Sequence, residues 1–273
     1  MKKQTIFKHL VYPLFVILVF AFFYFFSQVP KKSDNLIVFC NVGQGDAAII
    51  KNGDYEILID AGPDNGEIIA CLSKYLSFQD RTIEKVVASH YDADHIGGFR
   101  DIFFNFEVKE AYGLGSQVGK DTVTYKTWMS EINKEGISEQ SLIYGRNLNF
   151  PGGYLETLYP FYNSNFSATN LSVVLKAHYL QKTFLFTGDL ELAEWQKLEQ
   201  MHLNLQSKVL KVAHHGSKNG TDQTVLDAVK PDEAVISVGK NSYGHPAKSV
   251  LDLLDNNLVT IHRTDQEGDL VYK

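Results

Sequence analysis

The spacing of apolar and polar positions divides the chain into an N-terminal apolar run, a short polar link and a long region of brief, regularly punctuated segments. Residues 10–29 hold no charge and are dominated by Phe, Val, Leu and Ile. At a rise of about 1.5 Å per residue, a helix of this length spans the hydrocarbon core of a bilayer. Tyr12 and Tyr24 stand near its two ends, and Pro13 falls in the first turn, where a missing N–H matters least. No small-residue cleavage site follows. The pattern therefore predicts an uncleaved transmembrane anchor at 10–29, preceded by a cytoplasmic stub at 1–9 and followed by a linker at 30–35.

From residue 36 onward the runs are short. Residues 36–41, 47–51 and 55–60 read as strands separated by Gly-containing turns, with Asn52-Gly53 marking a hairpin. A helix at 66–77 and a strand at 85–89 follow. Residues 113–150 are polar and aromatic, with a helix at 125–134, and read as a surface elaboration. The second half follows the same plan. Strands at 154–159, 172–178 and 183–187 come first, then helices at 190–201, 222–229 and 247–255 alternate with strands at 209–213 and 233–238, before two final strands. Clustered strands followed by alternation, twice over, predict an α/β (α+β) domain over 36–273 with two packed sheets flanked by helices.

Charge changes this picture at two points. Three lysines (Lys2, Lys3, Lys8) precede the apolar run and two (Lys31, Lys32) follow it. That bias places the N-terminus inside and the domain outside the cell membrane, as a single-pass protein. Removing those five lysines and Asp34 from the totals leaves 21 basic and 31 acidic residues, a net charge of −10 for 36–273. A protein gripping long duplex DNA carries a basic face, and this composition supplies none in bulk. The two cysteines, Cys40 and Cys71, form no CxxC pair, and Cys40 lies in an apolar run, which reads as a buried free thiol.

The chemistry concentrates in His90-Tyr91-Asp92-Ala93-Asp94-His95, followed by Gly97-Gly98. Four donors within six residues, directly after an apolar strand, converge on a strand-to-helix loop. Packing them without a cation costs several kcal/mol in repulsion and desolvation. Further donors stand at other strand ends: Asp189 after 183–187, His214 and His215 after 209–213, and His245 before a helix that opens with Pro246. Metal binding accounts for this recurrence. An extended strand would point His214 and His215 in opposite directions.

These residues resemble the metallo-β-lactamase superfamily, whose pattern is HxHxDH followed by a bridging Asp and a final His; here Asp92 replaces the second His. Together with Val42-Gly43-Gln44-Gly45-Asp46-Ala47, Leu58-Ile59-Asp60-Ala61-Gly62, His214-His215-Gly216-Ser217 and Tyr243-Gly244-His245-Pro246, they resemble its ComEC-like branch, the extracytoplasmic domains of DNA-uptake competence proteins. The resemblance covers about residues 36–273. It implies a four-layer αββα sandwich and two divalent metal ions, Zn or Mn. One metal would take His90, Asp92 and His214, the other Asp94, His95 and His245, with Asp189 bridging. His215 stands as the alternative ligand, and Asp60 as a support beneath the ligands or an alternative to them.

The implied reaction is hydrolysis by a metal-bridging hydroxide that Asp94 or Asp189 orients, most readily of a phosphodiester. Lys218, Lys240, Asn241 and Tyr243 flank the donors as candidates for holding a phosphate. Substrates of that class include single-stranded nucleic acid and envelope phosphate polymers. Two other readings compete: hydrolysis of a lactone, thioester or lactam, and a non-catalytic, metal-stabilised binding module of the envelope. DNA translocation by this chain alone is excluded, because it has room for one span.

Overall fold

A computed structural model describes residues 15–19, 35–115, 122–162 and 171–273. Residues 15–19 are helical; the rest of the expected anchor lies outside the described residues. Among the described residues, no helix is long and apolar enough to cross a membrane. The described residues from 35 onward belong to one compact unit.

The compact unit is built on two seven-stranded sheets. The first comprises β1 (Leu36–Phe39), β2 (Ala47–Asn52), β3 (Tyr55–Ala61), β4 (Thr82–Val87), β5 (Glu107–Gly113) and β6 (Glu139–Ser141) in chain order. The second comprises β7 (Asn147–Phe150), β8 (Gly153–Tyr159), β9 (Val174–Tyr179), β10 (Lys182–Phe186), β11 (Val209–Lys211), β12 (Glu233–Ile236) and β13 (Thr260–Arg263). The last strand, β14 (Leu270–Tyr272), returns to pair with β1. The neighbours β1–β2, β2–β3, β7–β8, β8–β9 and β9–β10 are antiparallel, and consecutive strands that pair across an intervening helix are parallel. Hairpins and crossovers impose this division.

Along the inner strands β2 and β3 buried residues run almost without a break, not at every second position, because both faces of the sheet are covered there. Phe39 stacks on Phe186 with ring centroids 5.4 Å apart, and Phe184 meets Tyr272 edge-on at 5.1 Å, so aromatic pairs join the sheets. The outcome is a metallo-β-lactamase fold of two mixed sheets with helices.

Two expectations fail. Cys40 and Cys71 are not free thiols: they form a disulfide with Cα atoms 5.9 Å apart, joining the end of β1 to the helix Glu67–Tyr75. The apolar setting of Cys40 signals burial but carries no information on what lies opposite it. The region 113–150 is not a surface elaboration either. Its helix Val123–Lys134 buries Trp128 against Phe99 and Phe103, with centroids 4.6 and 5.8 Å away, and its strands β6 and β7 close the edges of the two sheets.

Candidate metal centre

The donors lie where strands of both sheets end. β4 leads into Ser89 and His90, β10 into Gly188 and Asp189, β11 into His214 and His215, and β3 ends around Asp60. The loop after β4 turns at once into the one-turn helix Ala93–Ile96, for which extended Asp92 is the N-terminal flank. Gly98 packs so closely that a Cβ would stand 2.2 Å from the Ala61 carbonyl, which explains the glycine pair after His95.

Beneath the donors a hydrogen-bond chain fixes the rings. Asp60 accepts from the Ser89 backbone N–H (2.7 Å), from Ser89 Oγ (2.6 Å) and from His95 Nδ1 (2.9 Å). With its own proton committed to Asp60, Ser89 Oγ accepts from His90 Nδ1 at 3.1 Å. His215 Nδ1 donates to the Ser237 carbonyl at 2.9 Å. Each of the three imidazoles is thereby turned to present Nε2 outward, the arrangement that outer-sphere acceptors impose on metal-ligating histidines. Asp60 adopts φ 55°, a left-handed conformation uncommon for a non-glycine residue, to make these contacts.

Two donor sets result. In one, His215 Nε2 lies 3.2 Å from Asp94 Oδ2, and Asp189 Oδ1 lies 3.2 Å from His95 Nε2 and 3.8 Å from His215 Nε2. In the other, His90 Nε2 lies 3.6 Å from Asp92 Oδ2 and 3.9 Å from Asp189 Oδ2, while His214 Nε2 lies 3.6 Å from the same Asp189 oxygen. Asp189 thus offers one oxygen to each set. The Nε2 atoms of His90 and His95 and Asp189 Oδ1 are buried without a hydrogen-bond partner. Orphaned acceptors converging this way fit a pair of cations.

The placement of two histidines differs from the assignment by resemblance. His214 and His215 do not lie on an extended strand: both have φ 53°, in a tight left-handed turn over Ala213–Gly216. Consecutive left-handed residues let both rings face the cleft, so His215 joins Asp94 and His95 while His214 joins His90 and Asp92. His245 stands further out. Its ring lies 5.5 Å from that of His214 on the cleft wall; like His214 and Asp92, it enters none of the groups whose donor atoms lie within 4.8 Å of one another among the described residues.

Of the four candidates for holding phosphate, Tyr243 lines the cleft; Lys218 and Lys240 are exposed and outside its lining. Asn241 is committed elsewhere. Its amide donates to the Gly239 and His245 carbonyls and its oxygen accepts from the Tyr243 and His245 N–H groups, so it braces the turn that carries His245. Sequence reasoning missed Arg100, which lines the cleft beside Asp64 and is the only Lys or Arg among its described lining residues. It also missed Asp46 and Lys211, which pair beneath the donors. Asp46 directly follows the Val42-Gly43-Gln44-Gly45 stretch, which could have drawn attention to it, but Lys211 reads in sequence as an ordinary strand-end charge.

The electrostatics reflect this crowding. Burial disfavours a charged His215, yet Asp46 and then Asp189 outweigh it and push its pKa up to about 9. His95 is likewise raised, against burial, chiefly by Asp189, Asp46 and Asp60. Asp189 is held well below the usual carboxylate range: burial opposes this, and His95 and His215 overcome it. Without metal, the protons held by His95 and His215 offset the charge of the aspartates around them.

Residues 40–117 match the family model described as the metallo-beta-lactamase superfamily. The solved structure of the metallo-beta-lactamase fold protein YhfI from Bacillus subtilis superposes with a TM-score of 0.59 at 12% identity, covering 87% of this chain and 98% of that one. The chain carries a metallo-β-lactamase domain. Its curated relatives place that domain in the ComEC-like branch: it is 30% identical over 197 residues to ComE operon protein 3 of Bacillus subtilis (strain 168), covering 71% of this chain. It is 26% identical over 262 residues to Competence protein ComA of Neisseria gonorrhoeae, covering 95% of this chain. The aligned regions make up 25% and 35% of those two relatives.

Proposed function

We propose that this protein is a membrane-anchored, binuclear metal-dependent phosphodiesterase whose substrates are short or single-stranded nucleic acids. The observation that carries the reading is Asp189, a buried carboxylate with one oxygen toward each donor set. Three aspartates among the donors favour hard cations such as Mn²⁺ alongside Zn²⁺. Two such ions supply a nucleophilic water at neutral pH and neutralise charge at phosphorus.

The chain's own groups do the rest. Asp189 and Asp94 orient the attacking water. Arg100 offers a guanidinium to a neighbouring phosphate, and Tyr243, 75% exposed at the cleft rim, offers a ring for a base to stack on. Ile96, Val123 and Pro63 give the cleft, about 780 Å³, an apolar side. The name of the Neisseria gonorrhoeae relative, Competence protein ComA, supports a nucleic-acid substrate. The anchor at 10–29 and an extracytoplasmic domain belong to the same reading, supported by the charge-free run and by the Cys40–Cys71 disulfide.

The test is hydrolysis of bis(p-nitrophenyl) phosphate by protein stripped of metal and then given Mn²⁺ or Zn²⁺. Turnover should require metal, and Asp189→Asn should reduce kcat by more than roughly a hundredfold. A folded, metal-loaded protein with no turnover would reject the phosphodiesterase reading and leave carbonyl hydrolysis or binding.

A further inference from the structure

Below the two donor sets lies a third, inner group of donors. Asp46, 6% exposed, approaches His215 Nδ1 to 3.3 Å with Oδ1 and His95 Nδ1 to 3.8 Å with Oδ2. Those two Nδ1 atoms are already engaged by Ser237 and Asp60, which leaves Asp46 Oδ1 buried and without a hydrogen-bond partner. Asp46 also completes two groups of donor atoms within 4.8 Å of one another, with Asp189 and His215 and with Asp60 and His95. The imidazole protons point at this position, so what suits it to a cation is the carboxylate oxygen of Asp46, buried and short of a hydrogen-bond partner.

Lys211 supplies that charge. It ends β11, is 3% exposed, and reaches across from the second sheet to ion-pair with Asp46, which precedes β2 of the first. Its ammonium also lies 3.4 Å from the Gly188 carbonyl, next to Asp189. A small cavity of about 20 Å³ adjoins it, lined by Asp46, Asp60, Ser89 and Lys211 among apolar side chains.

We infer that the Lys211 ammonium occupies an inner cation site and so keeps Asp46 from acting as a metal ligand. The inference rests on the two-metal reading of the outer sets. Lys211 is a positioning residue: with Asp46 held by an ammonium, divalent ions are confined to the outer sets, where His95 and His215 present Nε2.

Lys211→Ala removes the charge and adds its side-chain volume to the existing cavity, leaving room for an ion with water. The measurement is metal content at saturating Mn²⁺ by elemental analysis, with thermal melting in the presence and absence of Mn²⁺. Lys211→Ala should bind one more Mn²⁺ per chain than the wild type, and its melting temperature should rise more steeply with Mn²⁺. Lys211→Ala/Asp46→Asn should return to the wild-type count. An unchanged count in Lys211→Ala would overturn the inference. So would a variant that fails to fold even with Mn²⁺, since no divalent ion would then replace the ammonium. The increment is independent of turnover: a wild type holding fewer than two ions sinks the proposed function, whereas a missing increment sinks only the role of Lys211.

Discussion

At the scale of single residues, the centre is a contest between protons and cations. The raised pKa values of His95 and His215 make a signed prediction. An imidazole whose folded pKa exceeds its unfolded value of 6.5 contributes stability that is complete below 6.5 and is lost as pH climbs, for His215 through about 9. Asp189, held below its ordinary 3.8, contributes stability present above 3.8 and lost in acid. The metal-free domain should therefore be most stable between 3.8 and 6.5, and its melting temperature should fall from pH 6.5 toward 9. Metal reverses the slope, because ligation needs neutral imidazoles and displaces their protons. Melts across that range with chelator and with Mn²⁺ test both signs. A metal-free melting temperature that climbs toward pH 9 would show that the imidazoles are not held as cations.

At the scale of elements, the disulfide bears on both stability and location. Cys40 and Cys71 are 31 residues apart, and closing a loop of that length restricts the unfolded chain by roughly 3–4 kcal/mol. Cys71→Ser should lose about that much in urea unfolding. Thiol alkylation of the protein from its own cells should find both cysteines blocked, whereas free thiols would place the domain in a reducing compartment and remove the argument for an exterior orientation. This bridge was not legible in the sequence. Burial of Cys40 was, because an apolar run announces itself; its partner was not, because the pairing of β1 with the helix Glu67–Tyr75 is a tertiary fact. The same division holds elsewhere. Strands β2, β3, β8, β9 and β10 follow from apolar runs with turn residues between them. The role of 113–150 does not, since Trp128 finds its neighbours Phe99 and Phe103 only once the fold brings them close. Within the site, the clustered donors of the 90–95 loop could be read directly. Whether His214 or His215 faces the cleft could not be read, because two left-handed backbone conformations, which no spacing reveals, turn both toward it.

At the scale of the molecule, charge distribution decides which substrates fit. The region 36–273 carries a net charge of −10 by composition, and Arg100 is the only Lys or Arg among the described residues lining the cleft. A polynucleotide bound along a basic track neutralises many phosphates, and its affinity falls steeply with salt; for single strands the slope of log K against log salt is about −0.7 per phosphate contacted. On the proposed function a metal pair would engage one phosphate and Arg100 a second, so the slope should be about −1.4 by the same rule. Arg100→Ala should flatten it by about 0.7 and raise KM while leaving kcat nearly unchanged, because a group that holds a neighbouring phosphate contributes equally before and during the reaction. The measurement is KM for a short single-stranded oligonucleotide and for bis(p-nitrophenyl) phosphate over a series of salt concentrations. The second substrate has no neighbouring phosphate, and its KM should ignore Arg100. A slope steeper than about −4 for the oligonucleotide would reveal an extended basic track outside the cleft and make the long polymer, not the short one, the natural substrate.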